Sequence, residues 1–338
     1  MFKKTIILVL VMVFAFSMVV LTEAKTVEVR FCGTITTAAN YMLGVGWSNV
    51  LREYYPDITM KVLAGGGTTK LLRGVINKSW EIGFMGSPHL MCAKEGILLF
   101  EKEKEHSKER YYDPTRALFA IATEWQNFVV RDDSGIYSID DLKGAQVHLG
   151  NPGGFGGIMT KAVLKTRGID IDKGDYKGIY IPTSQAIDQL RDKTGLADAI
   201  VWGGIPQPLI SELSYKVPLR LLSMPKETLE KFQKEHVLGP YTDIVTVTPE
   251  EIKEAYEGKV LNTEPCYFWT IPMMLIVHKD MDEEVVYNIV KTFWEHLDEV
   301  KTVSKQLEGV SLDKALTRLS IPLHPGALKY YKEIRAIK

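Results

Sequence analysis

The chain has 338 residues, 46% of them hydrophobic and 25% charged, with a formal net charge of −1. That composition supports a sizeable core and two domains of ordinary size, and the lack of a basic excess argues against a nucleic-acid binder. Cys32, Cys92 and Cys266 are the only cysteines and form no C-x-x-C pair, so buried free thiols are expected, with a single Cys32–Cys92 bridge as the alternative.

Residues 1–24 stand apart. Lys3 and Lys4 precede an almost unbroken apolar run from Thr5 to Leu21, and Ala24 ends a small polar stretch after it. This is the layout of a secretory signal peptide; the alternative is an uncleaved membrane anchor. Thr26 to Cys32 alternates as a strand. Gly33 to Asn40 is a small polar loop, and Tyr41 to Tyr54 carries apolar residues at helical spacing, stopped by Tyr55-Pro56. Ile58 to Leu63 is a second strand. Gly65-Gly66-Gly67 follows, with Thr68 as the expected N-cap of a helix from Lys70 to Asn77. Trp80 to Met85 is a third strand. The rhythm is β-loop-α-β-loop-α-β, that of a parallel sheet with short loops at its carboxyl edge.

The charged stretch from Glu101 to Arg110 reads as a solvated helix face or loop. Ala117 to Ala122 and Phe128 to Arg131 read as two strands, and Ser138 with Asp141 as a capping box. A strand then leads into Leu149, and four of the next seven residues are Gly before a helix from Ile158 to Thr166. Such a loop leaves backbone N–H groups free at a helix N-terminus, where they attract a small anion or polar ligand. Gly178 to Ile181, Gln185 to Asp192 and Ala199 to Trp202 continue the alternation as strand, helix, strand. Lys226 to Glu235 and Pro249 to Tyr256 read as helices, and Trp269 to His278 as a strand. Asp282 caps a helix whose Val285, Val286, Ile289, Val290, Phe293, Trp294 and Leu297 form one apolar face. The sum is an α/β chain of two lobes with short crossings. Ligands of open α/β sheets bind at the carboxyl ends of the strands, so two lobes presenting such edges to each other make a clamshell.

Six segments, in order along the chain, resemble one family, the extracytoplasmic solute receptors of TRAP transporters of the TAXI type. They are Gly33-Thr34 with Asn40 to Gly44, Gly65 to Leu72, Val129 to Ile136 with Asp141 to Gly144, Leu149 to Gly153, Val201 to Pro208, and Ile321 to Ala327. The resemblance implies a two-lobed type II periplasmic-binding-protein fold with the ligand cleft between the lobes. Lobe 1 would be 25–122 plus 272–338, and lobe 2 would be 123–271. It implies a monomeric receptor with no enzymatic chemistry, no cofactor and no metal. The receptor would capture a small organic acid or amino acid outside the cytoplasm and deliver it to the membrane permease subunits of the transporter. The expected ligand-binding residues are Gly33, Thr34, Thr36, Thr37, Asn40 and Tyr41 in the first loop, and Gly66, Gly67, Thr68 and Thr69 in the second. To these are added Gly86 and Ser87 after the third strand, Asn151, Gly153, Gly154, Phe155 and Gly156 in the opening of the second lobe, and Trp202 with Gly203.

Two departures bear on the ligand. After Pro152-Gly153 the family usually has Ser-Gly-Thr, where this chain has Gly154-Phe155-Gly156-Gly157; where the family often has Gln-Ser-Asp, this chain has Gly86-Ser87-Pro88. Hydroxyl donors are lost and an aromatic ring is gained, so the expected ligand carries a carboxylate and an apolar or flat part. Trp125 and Trp269 fall near the two expected lobe crossings. Arg131 could bind a carboxylate bidentately, although a surface salt bridge is the plainer reading. The seven His residues show no metal-ligand spacing, and the Gly triplet does not match a nucleotide P-loop. An enzyme on the same scaffold would have to rely on Ser87, His148 and Asp198, which form no motif. An exported sensor partner without transport is the other alternative.

Overall fold

The computed structural model describes residues 26–36, 38–150 and 154–337, with the side chains of Ala122, Thr123, Glu124, Trp202 and Gln306 outside that description. The expected signal segment, Thr37, Asn151 and Gly153 therefore lie outside the described residues. Strand β1 (Val27–Gly33) pairs in parallel with β2 (Ile58–Ala64) along its whole length, from Val27 opposite Ile58 to Gly33 opposite Ala64. Helix α1 (Ala39–Tyr54) connects them, and α2 (Thr68–Ile76) leads from β2 to β3 (Ile82–Gly86), which lies parallel on the other side of β1. Helix α3 (Ser87–Glu95) starts directly at the end of β3. The charged stretch that follows folds into helical turns between Leu98 and Tyr112, where Glu103 pairs with Arg73 and Arg110 at 2.9 and 3.0 Å.

The two strands expected at Ala117–Ala122 and Phe128–Arg131 are one 17-residue strand, β4 (Thr115–Arg131). The polar stretch between them does not break the strand; it marks where β4 passes from one lobe to the other, and Gln126 and Asn127 remain buried there. In the second lobe β5 (Gln146–His148) runs parallel to β6 (Lys177–Ile179) and β7 (Ala199–Trp202), with α4 (Phe155–Arg167) and α5 (Thr183–Asp192) as the crossovers. Helix α6 (Pro208–Ser214) leads to β8 (Leu219–Leu222), which pairs with the far half of β4 opposite β7. After α7 (Lys226–Glu235), β9 (Asp243–Val247) and α8 (Pro249–Ala255) comes β10 (Cys266–His278), 13 residues long. Its first half pairs with β9, its second half slots between β3 and β4, and β4 lies beside it from Thr115 to Gln126. The strand order is thus β2-β1-β3-β10-β4 in one lobe and β6-β5-β7-β4-β8 in the other. This is the expected mixed α/β, two-lobed fold, with β4 and β10 shared.

The first lobe is closed by α9 (Glu283–Glu295) and α10 (Pro325–Glu333). Asp282 caps α9 as expected: its Oδ1 accepts from the backbone N–H groups of Glu284 and Val285 at 2.9 Å each. Val286, Ile289, Val290, Phe293 and Trp294 are buried along the apolar face. Trp47 of α1 is fully buried against Phe31, Phe119 and Phe293, and its indole N–H donates to the Ile289 carbonyl at 2.9 Å. The larger core runs across the lobe junction: Phe128, Phe155 and Trp269 belong to the same buried cluster as Phe31 and Trp47. A second cluster around Val129, Ile200, Leu219 and Phe268 packs the outer part of the second lobe. Burial of each such aromatic side chain contributes roughly 1.5–3 kcal/mol before entropy is counted. Cys32, Cys92 and Cys266 are free and buried, which pushes their thiols up to about 11, about 12 and about 12. Among the described residues no helix is long and apolar enough to cross a membrane.

Candidate functional site

The carboxyl ends of the parallel strands define the candidate site. In the first lobe β1, β2 and β3 end at Gly33, Ala64 and Gly86; in the second, β5, β6 and β7 end at His148, Ile179 and Trp202. The loops after β1 and β2 are tied together, since Gly65 N–H donates to the Gly33 carbonyl and Gly66 N–H to the Thr34 carbonyl, both at 2.8 Å. Gly66 has φ +94°, which a side chain would strain. The buried Asn40 accepts at Oδ1 from the Thr34 backbone N–H at 2.8 Å and the Thr34 hydroxyl at 3.1 Å. Asn40 and Thr34 therefore shape the first loop. Thr36 is exposed beside them and Tyr41 is half-buried.

The second loop differs from expectation in one respect. Gly67, not Thr68, is the N-cap of α2, and the helix begins at Thr68 rather than Lys70. The reason is a histidine that the sequence reading did not place in the site. His89 of α3 is fully buried; its Nδ1 lies 3.1 Å from the Thr68 hydroxyl and its Nε2 3.2 Å from the Thr69 hydroxyl. The Thr68 oxygen is thus turned away from its own helix end. Burial pushes the imidazole down to about 3, so His89 is neutral at physiological pH.

The face of His89 is covered from the other lobe. Phe155, the first residue of α4, stacks on it with ring centroids 4.4 Å apart and planes 18° from parallel, and Phe100 meets it edge-on at 5.9 Å. Gly154 is the N-cap of α4 and is partly open. Next to Phe155, a side chain added at Gly156 would meet Gln126 Oε1 at 3.2 Å, so the α4 N-terminus rests on the crossing segment of β4. One at Gly86 would meet Ile271 at 2.9 Å and Met273 at 3.2 Å, which brings β10 to the same place. Thr68, Thr69, His89, Phe155 and Gln126 thus converge from both lobes and the crossing strands, and all are uncharged.

Other expected residues have structural partners. The Ser87 hydroxyl is buried and donates to the Arg318 carbonyl at 2.8 Å. Arg318 in turn pairs through its guanidinium with Asp243 at the start of β9. Arg131 forms the surface salt bridge with Asp133, at 2.8 Å. Asp198 accepts from the Gln146 backbone N–H at 2.8 Å. His148 is buried, with Nε2 2.8 Å from the Ile181 carbonyl. Its Nδ1, together with Asn127 Oδ1, Thr183 Oγ1 and the indole N–H of Trp269, makes no hydrogen bond among the described residues. Ser87, His148 and Asp198 are therefore held by three separate sets of partners. Gly203, partly open, follows β7 at the same edge of the second lobe. The described residues contain no group of three or more His, Cys, Asp or Glu side chains that could hold a metal ion. A surface depression of about 250 Å³ lies instead near the amino end of β1, lined by Val27, Trp80 and His278 among others. Its Glu28, Glu81 and Asp280 are already paired with Lys61, Arg30 and Lys78.

A profile of the NMT1-like family matches residues 32–334, and the chain belongs to that family. Three solved structures resemble it at low identity. One is a binding protein component of an ABC phosphonate transporter from Pseudomonas aeruginosa, with 11% identity over 85% of this chain and 80% of that one and a TM-score of 0.49. Another is the periplasmic aliphatic sulphonate binding protein of Escherichia coli, with 11% identity, 90% and 83% coverage and a TM-score of 0.46. The third is a TRAP periplasmic solute binding protein from Desulfovibrio salexigens, with 11% identity, 93% and 82% coverage and a TM-score of 0.45.

Proposed function

We propose that this chain is an extracytoplasmic solute-binding receptor of a TRAP transporter, of the TAXI type and the type II binding-protein fold. It captures a small organic acid or amino acid, one that bears a carboxylate and an apolar part, by closure of its lobes. It then hands the ligand to membrane permease subunits. In this reading residues 1–24 direct export, the lobes are 25–122 with 272–338 and 123–271, the receptor is a monomer, and it performs no chemistry of its own. The observation that supports it most directly is the His89–Phe155 stack. It joins residues at the carboxyl edges of the two lobes, where this reading puts the ligand. Closure works as a signal because a ligand shifts such an equilibrium only by preferring one state.

The test is mass spectrometry of small molecules released by mild denaturation from the purified protein, followed by thermal-shift titration with organic acids and amino acids. A stoichiometric small acid, released unchanged, supports the reading. An empty protein that no member of the panel stabilises counts against it.

A further inference from the structure

Thr68 and Thr69 are partly exposed residues, while the imidazole that bridges their hydroxyls is fully buried. Each ring nitrogen of His89 is within hydrogen-bond distance of one hydroxyl. A neutral imidazole has one N–H and one bare nitrogen. The threonine facing the bare nitrogen must donate its only proton to it, which leaves that oxygen free to accept. The threonine facing the N–H accepts from it, which leaves its own proton free to donate. Whichever tautomer is present, the pair shows one donor and one acceptor to anything that approaches.

We propose that His89 thereby sets what the first-lobe end of the site accepts: an uncharged group with a donor beside an acceptor, such as a carboxamide, lactam or urea edge, rather than a carboxylate. A carboxylate is acceptor-only and needs two donors; the threonine pair supplies one, and its other oxygen would face the anion lone pair to lone pair. Phe155 closing over His89 keeps out the water that could make good this mismatch, and Gln126, with its own donor and acceptor, adds no charge. The inference rests on the receptor reading and refines one end of its ligand. The carboxylate of that ligand then belongs away from the threonine pair.

The test is calorimetric titration of the full-length protein with matched probes that differ at one end only: glutamate and glutamine, succinate and succinamate. For any pair that binds, the amide member is expected to bind about tenfold tighter or more, because a site built to hydrogen-bond a group rejects the analogue that leaves partners unmatched. His89→Gln, which also offers one donor and one acceptor, keeps that preference. His89→Leu frees both hydroxyls and narrows it to about threefold or less, whereas a purely structural role would weaken acid and amide alike. A wild-type protein that binds the acid member tighter overturns the assignment and leaves the receptor reading standing. Two protonated ring nitrogens in the NMR signals of His89 at neutral pH would also overturn the assignment, because both hydroxyls would then be donors. If no probe binds, the co-purifying small molecule decides: a neutral donor–acceptor edge in it supports the assignment, and a ligand with carboxylates only overturns it. The receptor reading is judged separately, by whether a small molecule co-purifies at all.

Discussion

Phe155 and His89 come from opposite lobes, yet their rings lie 4.4 Å apart and within 18° of parallel. His89 is held in place by its own lobe, through Thr68 and Thr69; Phe155 is the part that arrives with the second lobe. The stack therefore exists only when the two carboxyl edges face each other closely, and it adds one aromatic contact to the core that crosses the lobe junction.

Phe155→Ala should loosen that arrangement. Removing a buried Phe costs roughly 3–5 kcal/mol where the surroundings do not collapse, and less where they do. The expected result is a lower urea midpoint together with a larger radius of gyration by small-angle scattering. An unchanged radius in a fully folded variant would show that the lobes are held together by other contacts.

The protein should lose stability in mild acid through His89. Its folded value is depressed to about 3 from an ordinary 6.5, so the folded state refuses a proton that the unfolded chain takes up. The stabilisation is complete above 6.5 and is lost progressively as the pH falls toward 3, by about 1.4 kcal/mol per pH unit from this group. His148, His236 and His324 are shifted in the same direction by burial and add to the slope. Urea unfolding at a series of pH values should show this slope in the wild type and a shallower one in His89→Gln. Parallel slopes would place the acid sensitivity elsewhere.

Gly157→Ala should be costly at a position that looks like an ordinary helix start. A methyl group there would press into the Leu149 carbonyl, which is backbone and has little room to move. Overpacking of this kind costs about 1–3 kcal/mol. Because Leu149 opens the loop that carries Phe155, the variant should also bind more weakly than its thermal stability alone explains, as calorimetry against the co-purifying ligand would show.

Asp282→Ala tests the capping of α9 at a distance from the site. Losing an N-cap carboxylate that accepts from two backbone N–H groups costs about 1 kcal/mol. A few degrees of lost melting temperature with unaltered ligand affinity is expected. A loss of affinity would tie α9 to the cleft.

What was legible in the sequence was the local rhythm. The strands β1 to β3, the helices α1 and α2 and the cap at Asp282 each announce themselves within a dozen residues, by alternation, helical spacing or a cap residue. Helix α3 did not, because seven of its nine residues are buried, the polar Ser87 and His89 among them; a helix buried on nearly every side has no periodic apolar stripe to read. That is also why His89 was missed, although its place directly after β3 was a usable signal. The split reading of β4 had the opposite cause: Thr123 to Asn127 is polar enough to suggest a loop, and only the tertiary structure shows that Gln126 and Asn127 are buried as the strand changes lobes. Thr68 looked like a cap because its partner His89 lies 21 residues away.

The position of β10 between β3 and β4 has a consequence for how the chain comes to be folded. A nascent chain that has grown as far as Arg131 already contains both neighbours of that strand, each with a row of unpaired backbone groups facing a gap. The gap stays open until Cys266 to His278 has been made. Through that interval the incomplete sheet offers two adhesive edges, so the growing chain is best served by staying unfolded or escorted until nearly all of it is available. Its slowest step should be the late insertion of a single strand.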